Sequence, residues 1–411
     1  MSEPGASTAA RGLVHGMGKE LVEADWPALT SDELAPVLGA FLDAGRVGCD
    51  PAPEVVWSSP RPMSAAAVVR DGGRSVFVKR HHRAVRSPEQ LETEHAFAEW
   101  LRRCGQPVPL FLRTAGGSTV TGVGDFVYEV QELAGGLDLY RDAVSWSPFL
   151  RLGHARAAGR ALAELHRAAA EFALPPRAPA VLMPSTAIVA AADPPAALDR
   201  LLRARPGLAR AVADRPLVAD FEQVLLPWIG RAGPALALLR PQWTHGDWHA
   251  SNLTWTSDGP SAKVACVLDL GLSNRTFAMH DLAIAIERNT IDWLDLAGTG
   301  SNEADLEAVD ALVDGYEQVA ALDEDDVAGL VAVLPVAHLE YALSEVEYFG
   351  VIVDSATNAD LAYDGYLLGH ARWFGRDAGA LLLDHLRRRV GPPSAHSPAS
   401  GHESLSGHES P

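Results

Sequence analysis

The tightest constraint on how this chain can fold lies in residues 243–271, where Trp243-Thr-His245-Gly-Asp247-Trp-His249-Ala-Ser-Asn252 is followed by Val267-Leu-Asp269-Leu-Gly271. Between the two, Leu253-Thr-Trp255 and the segment from Lys263 to Leu268 read as short strands. Ser257-Asp-Gly-Pro260 joins them as a hairpin turn, which returns Asp269 beside Asn252. That set of side chains suits phosphoryl transfer. Asp247 can orient a hydroxyl, Asn252 can offer its amide oxygen to a metal, and Asp269 can bridge a metal to phosphates. Asp and Asn are also ordinary turn formers, which explains each residue alone but not all of them at this spacing.

Composition removes other classes that use carboxylates and amides. A chain of 411 residues can bury a large core and is better divided into two packed lobes than one. Its net charge of −19 disfavours a grip on nucleic acid or an anionic membrane, both of which select basic surfaces. The three cysteines, Cys49, Cys104 and Cys266, are too scattered for a disulfide framework or a zinc site, and a reduced, cytoplasmic setting is expected. No apolar run is expected to reach the length of a membrane span, and the first residues lack the order of a signal peptide. Asp247-x-His249 has no third soft ligand at zinc spacing, so no zinc is expected there.

In chain order, residues 1–12 are small and polar and are expected to be disordered. A helix is expected from Ser31, as its N-cap, to Gly45. Strands follow at Val55-Val-Trp57, Ala67-Val-Val69 and Ser75-Val-Phe-Val78, with Asp71-Gly-Gly73 as a turn, which makes an antiparallel meander. The loop Ser58-Ser-Pro-Arg-Pro-Met-Ser64 contains no glycine. Any hold on phosphate there must come from backbone amides, Ser58, Ser59, Ser64 or Arg61. Strand alternation places Lys79 on the face of Phe77, opposite Val76 and Val78. A helix over about Pro88–Arg103 carries Glu94 on its apolar stripe with Leu91, Phe97 or Ala98 and Leu101, so Glu94 is the expected ion-pair partner of Lys79. Further strands are expected at Phe111–Thr114 and Phe126–Gln131, then a hinge at Glu132-Leu-Ala134-Gly-Gly136. A buried helix runs from Leu152 to about Glu171, with His166 read as a structural core residue. Asp281 is placed as the N-cap of another buried helix. Between His338 and His370 stand six acids and no lysine or arginine. Glu340, Glu347 and Asp354 recur among apolar neighbours, so these acids are expected to face a cationic ligand or else to form a solvated surface. The tail repeats Gly-His-Glu-Ser at 401–404 and 407–410, is expected to be unfolded, and could pick up metal adventitiously.

On His245-Gly-Asp247, Asn252 and Asp269-Leu-Gly271 the chain resembles the aminoglycoside phosphotransferase and choline-kinase-like phosphotransferase family, relatives of the protein kinases. Protein kinases would show His-Arg-Asp, Asp-Phe-Gly and Ala-Pro-Glu. The resemblance covers roughly residues 55–375. It implies an α+β, two-lobed protein-kinase-like fold, with a small antiparallel-sheet N-lobe and a larger, mainly helical C-lobe. The expected divisions are 1–12 (N-terminus), 13–133 (N-terminal helix and nucleotide lobe), 134–391 (catalytic and substrate lobe) and 392–411 (tail). It implies a small-molecule kinase that moves the γ-phosphoryl group of ATP (or GTP), with magnesium, to a hydroxyl of an aminoglycoside or other amino-alcohol. Alternatives are homoserine, choline or a sugar as acceptor, or a catalytically silent nucleotide-binding module. The resemblance assigns Asp247 and His245 to the catalytic segment, with Asp247 facing the hydroxyl and His245 orienting it, and Asn252 and Asp269 to the metal. Lys79 and Glu94 would serve the phosphates, the backbone at Glu132 and Ala134 the adenine, and Asp281 would brace the catalytic loop. No nucleic acid, membrane or obligate protein partner is implied.

Overall fold

The computed structural model describes residues 13–16, 20–42, 52–293 and 303–389. The expected disordered ends, 1–12 and 392–411, lie outside the described residues, as do Gly45 and Cys49. The first part of the chain is built of β1 (Leu13–His15), β2 (Leu21–Glu23), α1 (Ser31–Leu42), β3 (Glu54–Ser58), β4 (Ala65–Asp71), β5 (Arg74–His82), α2 (Pro88–Arg103), β6 (Val120–Val123) and β7 (Phe126–Glu132). The second part holds α3 (Leu152–Ala169), α4 (Pro194–Ala204), α5 (Pro206–Ala211), α6 (Leu217–Asp220), α7 (Leu226–Leu236), β8 (Pro241–Thr244), β9 (Leu253–Trp255), β10 (Val264–Val267) and β11 (Asn274–Phe277). It ends in α8 (Ala278–Thr290), α9 (Leu306–Glu317), α10 (Glu324–Val333), α11 (Leu339–Glu347), α12 (Ala356–Asp360), α13 (His370–Phe374) and α14 (Asp377–Arg387). A small antiparallel sheet followed by a helical body is the expected α+β, two-lobed architecture.

The sheet has the order β3-β4-β5-β7-β6, antiparallel throughout. Asp71 and Arg74 pair across a two-residue turn in which Gly72 (φ 55°) and Gly73 (φ 82°) both sit at positive φ, as a tight hairpin requires. Val69, Val76 and Val78 point to one face and pack on Leu34, Val37 and Leu38 of α1. The other face presents Phe77, Lys79, Glu129 and Gln131 to a cleft. The cap of α1 is Thr30, not Ser31: its Oγ1 accepts from Glu33 N at 3.3 Å. In α2 the Ser87 hydroxyl and the Gln90 side chain form a reciprocal capping box. Phe111–Thr114 is not a strand. Phe111 makes a single bridge to Gln131, because β6 occupies the adjoining edge of β7 from Phe126 to Glu129 and leaves only its end open.

In the helical body α3 lies against α9 at a crossing where neither helix can carry a side chain. A Cβ at Gly159 would stand 1.8 Å from Leu312 O, and one at Gly315 would stand 1.9 Å from Arg156 O. Gly159→Ala gains up to about 1 kcal/mol of helix propensity. The clash is with backbone and forces the helices apart, so the net expectation is a loss of about 3 kcal/mol or more, read from the urea midpoint. The continuous helical run Glu324–Ile352 has 29 residues and is long and apolar enough to cross a membrane, against expectation, yet 89% of its most apolar window is buried inside the protein. It is a core helix, tightened at Leu334–Val336 where Pro335 removes a backbone donor. Before α1 the chain spans both lobes. Trp26 stacks on His82 of β5 at 4.7 Å and donates through Nε1 to Tyr348 OH at 3.0 Å, and Tyr348 in turn donates to Asp25 at 2.9 Å.

Candidate active site

Two small ladders fix the segment that carries the chemistry. β8 pairs with β11 and β9 with β10, so the stretch from Thr244 to Asn274 is held at both ends and in the middle. Leu268 N donates to Asn252 O at 2.8 Å, which sets Asp269 beside Asn252 as the hairpin reading requires. Gly246 has φ 78°, and a Cβ there would lie 2.3 Å from Leu272 O, so only glycine fits between His245 and Asp247. Asp281 is not an N-cap, since α8 begins at Ala278. It accepts from the amides of His245 (2.7 Å) and Gly246 (2.8 Å) and from His166 Nε2 (3.0 Å), which is the bracing role that the resemblance implied.

His245 is buried beneath the loop. Its Nε2 donates to Leu268 O at 2.9 Å and its Nδ1 accepts from Asp247 N at 3.1 Å. Burial lowers its pKa, so a neutral imidazole ties the Asp247 loop to the Asp269 segment as a positioning residue. Burial, with Arg61 nearby, also lowers His249 to about 3, so this ring stays neutral and is no acid at physiological pH.

Asn252 Nδ2 donates to Asp247 O (3.0 Å) and Oδ2 (3.1 Å), which turns its amide oxygen away from Asp247. Asp269 sits in the left-handed region at φ 49°, a conformation rare outside glycine and tolerated best by Asn and Asp. Trp146 and Leu182, also at positive φ, line the same cavity as Asp269, and strained backbone of this kind concentrates at functional sites. Lys79 Nζ lies 2.8 and 3.0 Å from the two Asp269 oxygens. Burial opposes both charges. Lys79 nonetheless holds the Asp269 carboxyl at about 2, while Asp269 and Glu129 carry Lys79 above its ordinary value. Asp269 and Asn252 together offer hard oxygen donors, the set that magnesium takes.

The expected Lys79–Glu94 pair is not formed. Glu94 lines the same cleft but faces the Arg177 guanidinium at 3.6 Å. Burial and Glu129 raise its pKa, and Arg177 supplies the opposing cation that leaves Lys79 for Asp269. Arg177 was not foreseen. It comes from a coil and is fixed by the carbonyls of Gly271 (3.1 Å) and Ser273 (3.0 Å). Arg288 was also missed. Its NH1 bonds Asp247 Oδ1, and its guanidinium lies over Trp146 at 5.0 Å and Tyr341 at 5.4 Å. Burial lowers it to about 10, which still leaves it charged at neutral pH. The Glu287-Arg288 pair, which breaks the apolar run Leu282–Ile286 of α8, was its one local signal.

Two cavities meet here. The larger, about 420 Å³, lies under the sheet and is lined by Phe77, the hinge residues Glu132 and Ala134, and Gly136. The smaller, about 180 Å³, holds Asp247 and His249 and is walled by Trp146, Tyr341 and Tyr366. Arg61, Ser64, Lys79, Asn252 and Asp269 line both. Arg61 is anchored on Ala143 O at 2.8 Å, so the glycine-free loop brings a cation, not a bare backbone, to the junction. The acidic run follows neither alternative as a whole. Glu340 accepts from Ile188 N (2.7 Å) and Val189 N (3.3 Å), Glu347 pairs with Arg205, and Asp354, Asp360 and Asp364 are exposed. Of the six, Glu345 alone lines the smaller cavity among the described residues.

Comparison with known proteins gives the same picture. The model of the phosphotransferase enzyme family matches residues 64–322. Among solved structures, an amicoumacin kinase in complex with AMP-PNP, Ca2+ and Ami superposes with a TM-score of 0.55 at 14% identity, over 84% of this chain and 94% of that one. A microcompartment-associated aminopropanol kinase superposes with a TM-score of 0.52 at 18% identity, over 86% and 98%. No curated protein sequence matches. The structural likenesses carry the fold, and the family match, which spans more than half of the sequence, carries the membership: the chain belongs to the phosphotransferase enzyme family.

Proposed function

We propose that the protein transfers the γ-phosphoryl group of ATP (or GTP) to the hydroxyl of a compact small molecule. The observation that carries this reading is the junction of the two cavities at Lys79, Asn252, Asp269 and Arg61, with Asp247 on the smaller side. Magnesium nucleotide, when bound, supplies the activated phosphoryl group. Asp269 and Asn252 would hold the cation, Lys79 and Arg61 the phosphates, and the Glu132–Gly136 backbone the base. Asp247 orients the acceptor hydroxyl and takes its proton, Arg288 and the Asn252 amide fix that carboxylate, and His245 and Asp281 keep the loop in register. A cavity of about 180 Å³ is below the roughly 300–1,000 Å³ typical of drug-sized ligands, so a small amino alcohol or single sugar suits it better than a multi-ring aminoglycoside. Glu345, whose pKa burial raises to about 8, would be returned to carboxylate by an ammonium group placed beside it. The setting we propose is cytoplasmic, where ATP is available.

The test is a coupled ADP-release assay over amino alcohols, sugars, nucleosides and aminoglycosides, each with and without magnesium. Turnover on compact acceptors supports the reading. Tight ATP binding without turnover on any acceptor would instead support a silent nucleotide-binding module. Arg61→Ala is expected to raise the KM for ATP by roughly 10- to 100-fold with a much smaller change in kcat, since it removes one charge-assisted contact made before and during transfer. An unchanged KM would return the 58–64 loop to the role of a plain connector.

A further inference from the structure

We propose that Glu287, His338 and His370 form a buried site for one divalent transition ion of the zinc type, behind the smaller cavity and separate from the magnesium donors. Glu287 comes from α8, His338 from the turn that opens α11 and His370 from the start of α13, and they are 1%, 3% and 3% exposed. One ligand atom from each lies within 4.8 Å of the others. His370 Nδ1 is 2.5 Å from Glu287 Oε1, and His338 Nδ1 is 4.0 Å from the same oxygen. Two ligands on one tetrahedral ion at about 2.0–2.1 Å stand about 3.3 Å apart, between these values, so small side-chain shifts would close the set.

Hydrogen bonding points the same way. His338 Nδ1 and Glu287 Oε2 are buried with no hydrogen-bond partner, an unfavourable condition for each group that a cation relieves. His338 Nε2 lies 3.2 Å from Glu345 Oε2. Donation from Nε2 to Glu345 Oε2, an acceptor whether or not the other oxygen of that carboxyl carries a proton, leaves the lone pair on Nδ1, which faces Glu287; a carboxyl group behind the ring is how metal-ligating histidines are oriented. Trp293 stacks on His370 at 3.7 Å and Trp146 meets His338 edge-on at 5.2 Å, so the pocket walls are rigid and apolar. In the other buried cluster of this kind, Glu94, His95 and Glu129, the Glu94 Oε2 atom lacks a hydrogen-bond partner but both His95 nitrogens are engaged, Nδ1 with Thr119 at 2.7 Å and Nε2 with Glu129 at 2.9 Å, so no imidazole lone pair is left for an ion. Two imidazoles and a carboxylate favour a borderline ion over magnesium, which prefers the oxygens of Asp269 and Asn252. Glu287 precedes Arg288, so the ion would tie three helices together behind the guanidinium that touches Asp247.

The experiment uses the full chain with His396, His402 and His408 of the tail replaced by alanine, so that stoichiometry counts internal sites only. After chelator dialysis the protein is titrated with Zn(II) alone against a chromophoric competitor, and with Co(II) for its visible spectrum. Expected are one Zn(II) per chain, an upward shift of the melting midpoint with Zn(II), and intense Co(II) bands of a low-coordinate nitrogen site. Glu287→Gln and the double variant His338→Ala/His370→Ala should each weaken binding at least 100-fold, and Glu345→Gln by about 10- to 100-fold. No stoichiometric Zn(II), a pale water-like Co(II) spectrum, or full affinity in the double variant would overturn the site. The first two readouts need only the chain with its three native ligands, so a variant that fails to fold leaves the test intact. A proton shared between His370 and Glu287, which would fill the cluster without a metal, predicts that null titration.

Discussion

Asp247→Asn is expected to lower kcat by about 10²- to 10⁴-fold, the range that a positioned general base contributes, while the Kd for ATP changes by less than about threefold. The asymmetry follows from placement. Asp247 lines the smaller cavity only, whereas the residues proposed to hold phosphates and metal line both. The amide keeps the shape of the carboxylate and still offers Arg288 an oxygen, so fold and nucleotide site should survive. Steady-state kinetics, ATP titration and a thermal melt on the one variant check all three expectations. A variant that retains more than about a tenth of kcat would remove Asp247 from the chemistry, since even the low end of general-base contributions exceeds that.

Asp281→Ala should destabilise the protein by about 3–5 kcal/mol, the cost of removing one partner from a buried charged network. The carboxylate is fully buried and serves three donors: His245 N, Gly246 N and His166 Nε2. Alanine leaves all three unpaired where no water reaches them, and each orphan carries its own desolvation penalty. Its pKa stands below the usual carboxylate value: burial raises it, but His166, His245 and the backbone donors outweigh that. The linkage sign follows. A depressed folded-state pKa adds stability above the unfolded value near 4 and gives it up as pH falls through the folded one. The urea midpoint of the wild type should therefore fall more steeply on acidification than that of Asp281→Ala. A loss below about 1 kcal/mol would show that the loop holds itself without this brace.

Where chemistry and local spacing coincide, the sequence was legible. The hairpin that returns Asp269 to Asn252 follows from a turn and two short apolar runs, and the face shared by Phe77 and Lys79 follows from strand alternation. Glu94 shows the limit. Its place on the buried stripe of α2 was readable, but a stripe says that a group is buried, not what it meets. Its cation, Arg177, lies 83 positions away in a coil with no period to betray it. The acids of the long core helix failed for the same reason. Seven-residue spacing put Glu340 and Glu347 near the buried stripe correctly, yet backbone amides and Arg205 satisfy them, and the acid in the cavity is Glu345. The Thr30 cap and β6 were lost by smaller margins. Neighbouring hydroxyls compete for one helix end, and an edge strand of four residues with a glycine inside has little alternation to read.

The stretch before α1 alters the mechanics of the whole molecule. One covalent connection between the lobes runs through Gly135 and Gly136, and a second, non-covalent one runs through Asp25 and Trp26, clasped between His82 and Tyr348. The clasp is not the only tie across the cleft: Lys79 meets Asp269, Glu94 faces Arg177, Arg61 reaches Ala143 O, and Arg86 donates to Val181 O and Leu182 O. A hinge movement at Gly135 and Gly136 would therefore have to part polar contacts at several separated places, so the resistance to opening is spread along the cleft and does not reside in the linker.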